Sequence, residues 1–214
     1  MRKTFDAELQ ELNYEMIDMA AAAEDAIDVV TESLSTDDEQ TAKAAIDMTA
    51  SLDQMERDIE NRCLNLLLRQ QPVARDLRAI SAAMKMVTDL QRIGDQAANI
   101  AEISLLFSRQ GEVKVPQDIG VMACKAGLMV RQAISSYTGR DVETAHAVVN
   151  LDDEVDDLFR QVKGELIDQV AANRDEADLS IDFIIIAKYL ERIADHAVNI
   201  AQWAIFCVTG EILG

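Results

Sequence analysis

Apolar residues recur at intervals of three and four along most of this chain, which is the period of an α-helix. In the first such segment the apolar stripe consists of Leu9, Leu12, Met16, Met19, Ala23, Ile27 and Val30. The same pattern predicts six helices, at about Asp6–Leu34, Asp38–Arg69, Val73–Ser108, Gln117–Tyr137, Asp141–Ala172 and Asp178–Val208. Short polar or Pro-containing segments separate them, and long helices joined by tight turns leave little room for a sheet.

The last predicted helix repeats the third at a constant offset. The sequence DLQRIGDQAANIAE occupies residues 89–102 and YLERIADHAVNIAQ occupies residues 189–202, with eight of fourteen positions identical. In the preceding helices, DQME at 53–56 likewise matches DEVD at 153–156. A shared offset over two helices indicates an internal duplication.

One broad apolar stripe per helix and short connections are typical of an antiparallel bundle. We therefore predict an all-α protein of two tandem, pseudo-symmetric antiparallel three-helix bundles. The first is expected at residues 1–110 and the second at residues 115–214, with the Gly- and Pro-containing segment 110–116 as the linker.

The charge balance narrows the classes of partner. Asp and Glu number 39 against 20 Lys and Arg, which gives a net charge of −19. Nucleic acid would be repelled, and no cluster of basic residues offers a docking patch for it. An anionic membrane is a poor direct partner for the same reason, so any membrane association is expected to be indirect. Multivalent cations and basic proteins fit better.

Catalytic and secretory features are not evident in the sequence. Cys63, Cys124 and Cys207 are widely spaced, which favours reduced thiols. The opening MRKTFDAELQ lacks an apolar signal region, and no apolar run approaches the length of a membrane span. Two histidines and no Gly-rich phosphate loop leave no nucleophile–base set or nucleotide site. We expect a cytoplasmic protein that is not an enzyme.

The repeated helices carry a polar row beside the apolar stripe. Residues four apart lie above one another on a helix, so Glu191, Asp195 and Asn199 share a row. If acids on the neighbouring helix face each row, several oxygen atoms converge, and a cation would relieve their repulsion. His196 could add a nitrogen ligand and favour iron or zinc. The candidate metal ligands are Asp53, Glu56, Asp95, Asn99, Asp153, Asp156, Glu191, Asp195 and Asn199.

Two other readings of the acids stay open. The acids can be a solvated face, with Arg92 and Arg192 in surface ion pairs of small value, on a metal-free helical adaptor. A ferritin-like di-iron protein is the second alternative. It would need two Glu-x-x-His pairs on facing helices, and the chain contains a single one, Glu143 to His146.

The two repeated helices, together with the DQME and DEVD segments, resemble the PhoU family, regulators of bacterial phosphate uptake. The resemblance covers essentially the whole chain. It implies an accessory of the phosphate ABC transporter that helps to silence a membrane sensor histidine kinase when phosphate is plentiful. It also implies a homodimer, and acidic E(D)-x-x-x-D motifs that bind metal ions, in some members as iron or zinc clusters.

Carried over by position, the second motif is intact and the first is altered. Glu191 and Asp195 match the motif, whereas Gln91 stands where an acid is expected before Asp95. A neutral amide is a weaker cation ligand, so the first site is expected to be weaker. Ala194, which replaces the glycine seen at Gly94, is expected to be a minor steric change.

Overall fold

The computed structural model describes residues 2–36, 39–70, 73–107 and 113–211. These residues form six α-helices and no strand: α1 Arg2–Thr36, α2 Glu39–Gln70, α3 Ala74–Phe107, α4 Gln117–Gly139, α5 Val142–Ala172 and α6 Ala177–Thr209, with a 3₁₀ turn at Arg174–Glu176. The six predicted helices are confirmed. The largest difference is at the start of α1, which begins four residues earlier than the predicted Asp6.

The helices pack as two triplets. The first three helices contact one another, and so do the last three, so each half is a three-helix bundle. Between the halves, α1 packs on α4 and α3 packs on α6. In the described ranges α2 and α5 contact only their own half, which places them on the outside. The predicted fold class is confirmed. The domain boundaries stay a prediction, since residue 110 lies outside the described residues.

One hydrophobic core runs through both halves, and it accounts for much of the internal repeat. Five of the eight identical pairs in the repeated helices are buried in both copies, namely Leu90/Leu190, Ile93/Ile193, Ala97/Ala197, Ile100/Ile200 and Ala101/Ala201. Burying one leucine or isoleucine side chain is worth about 1.5–3 kcal/mol. Packing therefore explains these five identities, and only Arg92, Asp95 and Asn99 with their counterparts are left as candidates for chemistry.

Candidate functional site

The second half contains an acidic cluster formed by Asp152 and Asp156 on α5 and Asp195 on α6. Burial raises the pKa of Asp152 from 3.8 to about 6, and the negative charges of Asp195, Asp156 and Asp153 add to this effect. Burial also raises the pKa of Asp195, and the charge of Asp156 adds to it, while Lys188, His196 and Arg192 act in the opposite direction. The carboxylates of the two helices are therefore near enough for their charges to interact.

Asp152 is the member of this cluster that the sequence pattern did not identify. Its Oδ1 atom is buried and has no hydrogen-bond partner among the described residues. Asp153, which was predicted instead, is exposed. The available signal was the four-residue spacing of Asp152 and Asp156, which places both on one face of α5. Alignment of the repeats hid it, because Asp152 is the counterpart of the buried Leu52.

The residues of the polar row on α6 have different partners, one on α6 itself and one on α3. The Glu191 side chain is only 13% exposed and forms an ion pair with Lys188. Asn199 donates a hydrogen bond from Nδ2 to Oδ1 of Asp89 on α3, at 3.3 Å. The Nδ1 atom of His196 lies 2.9 Å from the same oxygen. His196 and Asn199 therefore hold the two halves together, and neither is directed into the acidic cluster.

In the first half a side-chain amide bridges two carboxylates, Asp53 and Asp95, which are the counterparts of Asp153 and Asp195. Gln91 donates from Nε2 to Oδ1 of Asp53 on α2 and to Oδ1 of Asp95 on its own helix, both at 3.0 Å. Arg92 also pairs with Asp95, at 3.2 Å. Each carboxylate thus accepts a hydrogen bond from Gln91, and Arg92 neutralises the charge of Asp95. Gln91 occupies the position between them that a bridging cation would need.

The other two predicted ligands of the first half are half-buried. Burial raises the pKa of Glu56, with further contributions from the charges of Glu60 and Asp53, while a hydrogen bond from Thr88 opposes the change. Asn99 forms no side-chain hydrogen bond with the rest of the described chain. This part of the first half therefore retains some of the repulsion seen in the second half, with fewer carboxylates.

The minor steric effect predicted for Ala194 concerns the second half, where Ala194 is buried in the core, whereas the space at Gly94 in the first half is tighter. A Cβ atom added to Gly94 would lie 2.4 Å from Cδ1 of Leu52, whose side chain is fully buried. Non-bonded carbon atoms need about 3.5–4.0 Å. In the second half the shorter Asp152 stands in place of Leu52, which removes the branched side chain that a Cβ would meet. The change from Leu52 to Asp152 between the halves therefore provides the space that the change from Gly94 to Ala194 needs.

The donor atoms of the second-half cluster suit a hard cation. Its ligands would be carboxylate oxygens, which Mg²⁺, Ca²⁺ and Mn²⁺ prefer. A buried oxygen without a partner and neighbouring carboxylates of raised pKa are what a cation would relieve. Over the described ranges, however, no three His, Cys, Asp or Glu side chains are grouped so that they could hold a metal ion as they stand. Side-chain rotation would be needed to bring the oxygens onto one ion, and metal binding stays a prediction.

The other acidic motifs in the sequence have different roles. Glu143 and His146 are both exposed on α5, whereas the ligands of a ferritin-like site project into the bundle core. Glu24, the first acid of an E-x-x-x-D spacing in α1, pairs with Arg131 of α4 at 2.7 Å. This ion pair joins the two halves on the side opposite to the contact of His196 with Asp89.

None of the described helices combines the length and apolar character that crossing a membrane requires.

Comparison with known proteins gives the same relationship for both halves. The PhoU domain family model matches residues 16–104 and again residues 119–204. The phosphate-specific transport system accessory protein PhoU homolog of Clostridium acetobutylicum is 33% identical over 211 residues, which are 98% of this chain and 96% of that protein. The corresponding homolog of Aquifex aeolicus is 36% identical over 206 residues, covering 96% of this chain and 93% of that protein.

Solved structures agree with the sequence comparisons. The crystal structure of PhoU from Pseudomonas aeruginosa superposes with a TM-score of 0.92 at 29% identity, covering 97% of this chain and all of that chain. The phosphate transport system regulatory protein PhoU from Streptococcus pneumoniae gives a TM-score of 0.89 at 23% identity over 98% of this chain and 99% of that chain, which shows the shared fold.

Proposed function

Because this chain belongs to the PhoU family, we propose that it is a non-enzymatic accessory regulator of a phosphate-specific transport system. The observation that carries the proposal is the extent of the match. Both three-helix repeats match the PhoU domain, and relatives named as accessory proteins of phosphate-specific transport align over 96–98% of the chain. The proposed role is to repress the phosphate-starvation response when phosphate is plentiful.

The partners in this proposal are the phosphate ABC transporter and a membrane sensor histidine kinase. The protein would act in the cytoplasm as a homodimer, and it would reach the membrane only through these partners. Pseudo-symmetry supports a bridging role, since α2 and α5 are equivalent outer helices that, within the described ranges, contact only their own half. Two similar outer faces allow one protein to contact two partner surfaces at once.

Deletion of the gene tests the regulatory role. In phosphate-rich medium, a strain without the protein should express a phosphate-starvation reporter such as alkaline phosphatase, and a plasmid copy should restore repression. If reporter expression stays low in the deletion strain under these conditions, the proposed regulatory role is wrong.

We further propose that the acidic cluster of the second half binds a metal ion. The carboxylates of Asp152, Asp156 and Asp195 would bind it. Glu191, which forms an ion pair with Lys188 in the metal-free protein, would be a fourth ligand. The bound ion would supply positive charge at a point where burial and repulsion disfavour ionised carboxylates. Iron and zinc are the metals that the family resemblance implies, and a site of oxygen atoms suits harder cations equally well.

The internal repeat provides a matched control for the metal proposal. Asp195→Asn should weaken cation binding in a titration by roughly tenfold or more, because a charged ligand is lost. Asp95→Asn is the same change at the equivalent position of the first half, where Gln91 bridges the carboxylates, and should have little effect. Equal effects of the two variants, or no metal in protein purified without chelator and none on titration, would support the metal-free adaptor.

A further inference from the structure

Three helix ends meet at one end of the molecule and bring together arginines that are distant in sequence. The Tyr137 hydroxyl, near the end of α4, donates to the carbonyl oxygen of Ala79 in the second turn of α3, at 3.4 Å. The guanidinium of Arg78 lies against Gly210, which ends α6, with Nη1 3.4 Å from the position of a Cβ at that glycine. Arg75 precedes Arg78 by one turn of α3, and Arg140 follows α4 directly. We refer to Arg75, Arg78 and Arg140 as the arginine cluster.

The positive charges of all three arginine side chains act on one buried group, the thiol of Cys207 on α6. Burial raises the pKa of the Cys207 thiol, and the nearby positive charges of Arg140, Arg78 and Arg75 act in the opposite direction. Cys207 lies one turn before Gly210 on α6. All three guanidinium groups therefore lie within electrostatic range of this end of α6.

The guanidinium groups of the arginine cluster have no anionic partner within the described part of the chain. No ion pair or side-chain hydrogen bond involves them, and the Nε atom of Arg78 is buried without an acceptor. Elsewhere arginines do find acids, as Arg62 does with Glu15 through two hydrogen bonds of 2.6 Å. In a chain with 39 acidic and 20 basic residues, three neighbouring unpaired arginines are unexpected.

Three acids lie near the cluster in sequence, namely Asp141, Glu211 and the buried Asp76, and none forms an ion pair with it in the described ranges. Asp141, beside Arg140, accepts hydrogen bonds from the backbone N–H groups of Glu143 and Thr144 and so caps α5. The carbonyl end of α6 favours a positive charge, which explains the position of Arg78. It does not explain why Arg75 and Arg140 are exposed and unpaired around the same point.

The backbone at Arg140 adds a second peculiarity. Its φ and ψ angles are 54° and 39°, the left-handed region in which glycine is the usual residue at a helix end. Arg140 is the one non-glycine residue with positive φ in the described ranges, and Gly139 stands immediately before it. An arginine is thus retained at the end of α4 where the backbone conformation favours glycine.

We propose that the arginine cluster binds a phosphate-type oxyanion. Each guanidinium offers a planar fork of N–H donors that matches two oxygens of a phosphate group, and three of them can neutralise a doubly charged anion. The phosphate group can belong to free inorganic phosphate or to the headgroup of an anionic lipid. The proposal stands apart from the transporter and kinase roles, because binding by the purified protein is its own readout. The sequence hid the site, since more than sixty residues separate Arg78 from Arg140.

Two binding measurements on the full chain distinguish the sources of the phosphate group. Inorganic phosphate is titrated by calorimetry in low-salt buffer, and sedimentation is measured with vesicles of phosphatidylglycerol and, for comparison, phosphatidylcholine. Arg75→Gln and Arg140→Gly should each weaken binding by at least about tenfold, as expected for losing a charged hydrogen-bond donor. Arg160→Gln, which removes an exposed arginine that pairs with Asp157 on α5, is the control and should leave binding unchanged.

The Arg140→Gly variant separates a loss of binding from a loss of folding. Arg140→Gly removes the charge and at the same time relaxes the backbone, so weaker binding by this variant cannot be attributed to unfolding. Binding of inorganic phosphate identifies a free-anion site, and binding of phosphatidylglycerol vesicles alone identifies a headgroup site. Absence of both, or an equal loss in Arg160→Gln, overturns the proposal.

Discussion

Replacing Asp152 by asparagine should stabilise the metal-free protein at neutral and alkaline pH. Asparagine has almost the same shape as aspartate but carries no charge. The change therefore removes the repulsion by Asp156 and Asp195 and leaves packing nearly intact. The folded protein holds the proton of Asp152 up to about pH 6, whereas the unfolded chain releases it near pH 3.8. The wild-type protein accordingly loses stability relative to the variant as the pH rises through this window.

The size of the effect follows from the same two values. A difference between 3.8 and about 6 corresponds to about 3 kcal/mol for a fully shielded group. Asp152 is only partly buried, and solvent screens exposed charges strongly, so we expect about 1 kcal/mol. For a chain of this length that is an increase in Tm of about 2–4 °C.

Thermal unfolding in the presence of a chelator, measured from pH 3.5 to pH 8, tests this prediction. The variant and the wild-type protein should have equal Tm values below about pH 4 and diverge to a constant difference above about pH 6.5. Asp168→Asn, which removes an exposed carboxylate from the same helix, controls for the general effect of reducing the negative charge. An increase in Tm that does not depend on pH, or one that Asp168→Asn also produces, would refute the reasoning. Addition of a cation that binds the cluster should narrow the difference, because the ion stabilises the wild-type carboxylates.

Three further changes test the packing around the two sites, each by chemical denaturation. Gly94→Ala should lower the free energy of unfolding by about 1–2 kcal/mol, because the added methyl group clashes with Leu52. Adding Leu52→Val to this variant should recover part of the loss. A Gly94→Ala protein as stable as the wild type would contradict the close contact. A double-mutant cycle of Asp89→Ala and His196→Ala should give a coupling energy of about 1 kcal/mol for the bond between the halves, and strictly additive effects would show that it contributes nothing. Arg140→Gly should raise the free energy of unfolding by about 0.5–1 kcal/mol, since glycine adopts the left-handed conformation without the steric cost, and a decrease would show that the side chain makes a stabilising contact.

The helices could be predicted closely because their signal is local. Long, uninterrupted apolar stripes define them, and the breaks between them fall at residues that disfavour helices. The short polar segment between the last two predicted helices forms a 3₁₀ turn, Arg174–Glu176, capped by the Asn173 side chain. The pairing of helices into two triplets followed from the repeat, which is also a property of the sequence alone.

The sites were harder to predict because they depend on contacts between distant segments. Spacing correctly placed Glu191, Asp195 and Asn199 on one row, but it could not show that α3 of the first half lies beside that row. For this reason the contacts of Asn199 and His196 with Asp89 were not foreseen. The arginine cluster was missed for the same reason, since its members come from the ends of different helices.

The differences between the halves concentrate unfavourable carboxylate contacts in the second copy of the duplicated unit. Between α2 and α3, Leu52 packs on Gly94 and Gln91 bridges two carboxylates, so the contact is closed by apolar packing and an amide. The same positions between α5 and α6 hold Asp152, Ala194 and Glu191. These differences give the second half two carboxylates that the first half lacks, Asp152 and Glu191, and proteins retain unfavourable groups mainly at functional sites.

The position of the acidic cluster also gives it a mechanical route to the first half. Asp195 is followed directly by His196, whose ring contacts Asp89 on α3, and Asn199 contacts the same carboxylate one turn later. A cation that drew Asp195 towards α5 would therefore act on the segment of α6 that holds the two halves together. The charge state of one half would then affect the geometry of both outer faces, which is what a protein that bridges two partners requires.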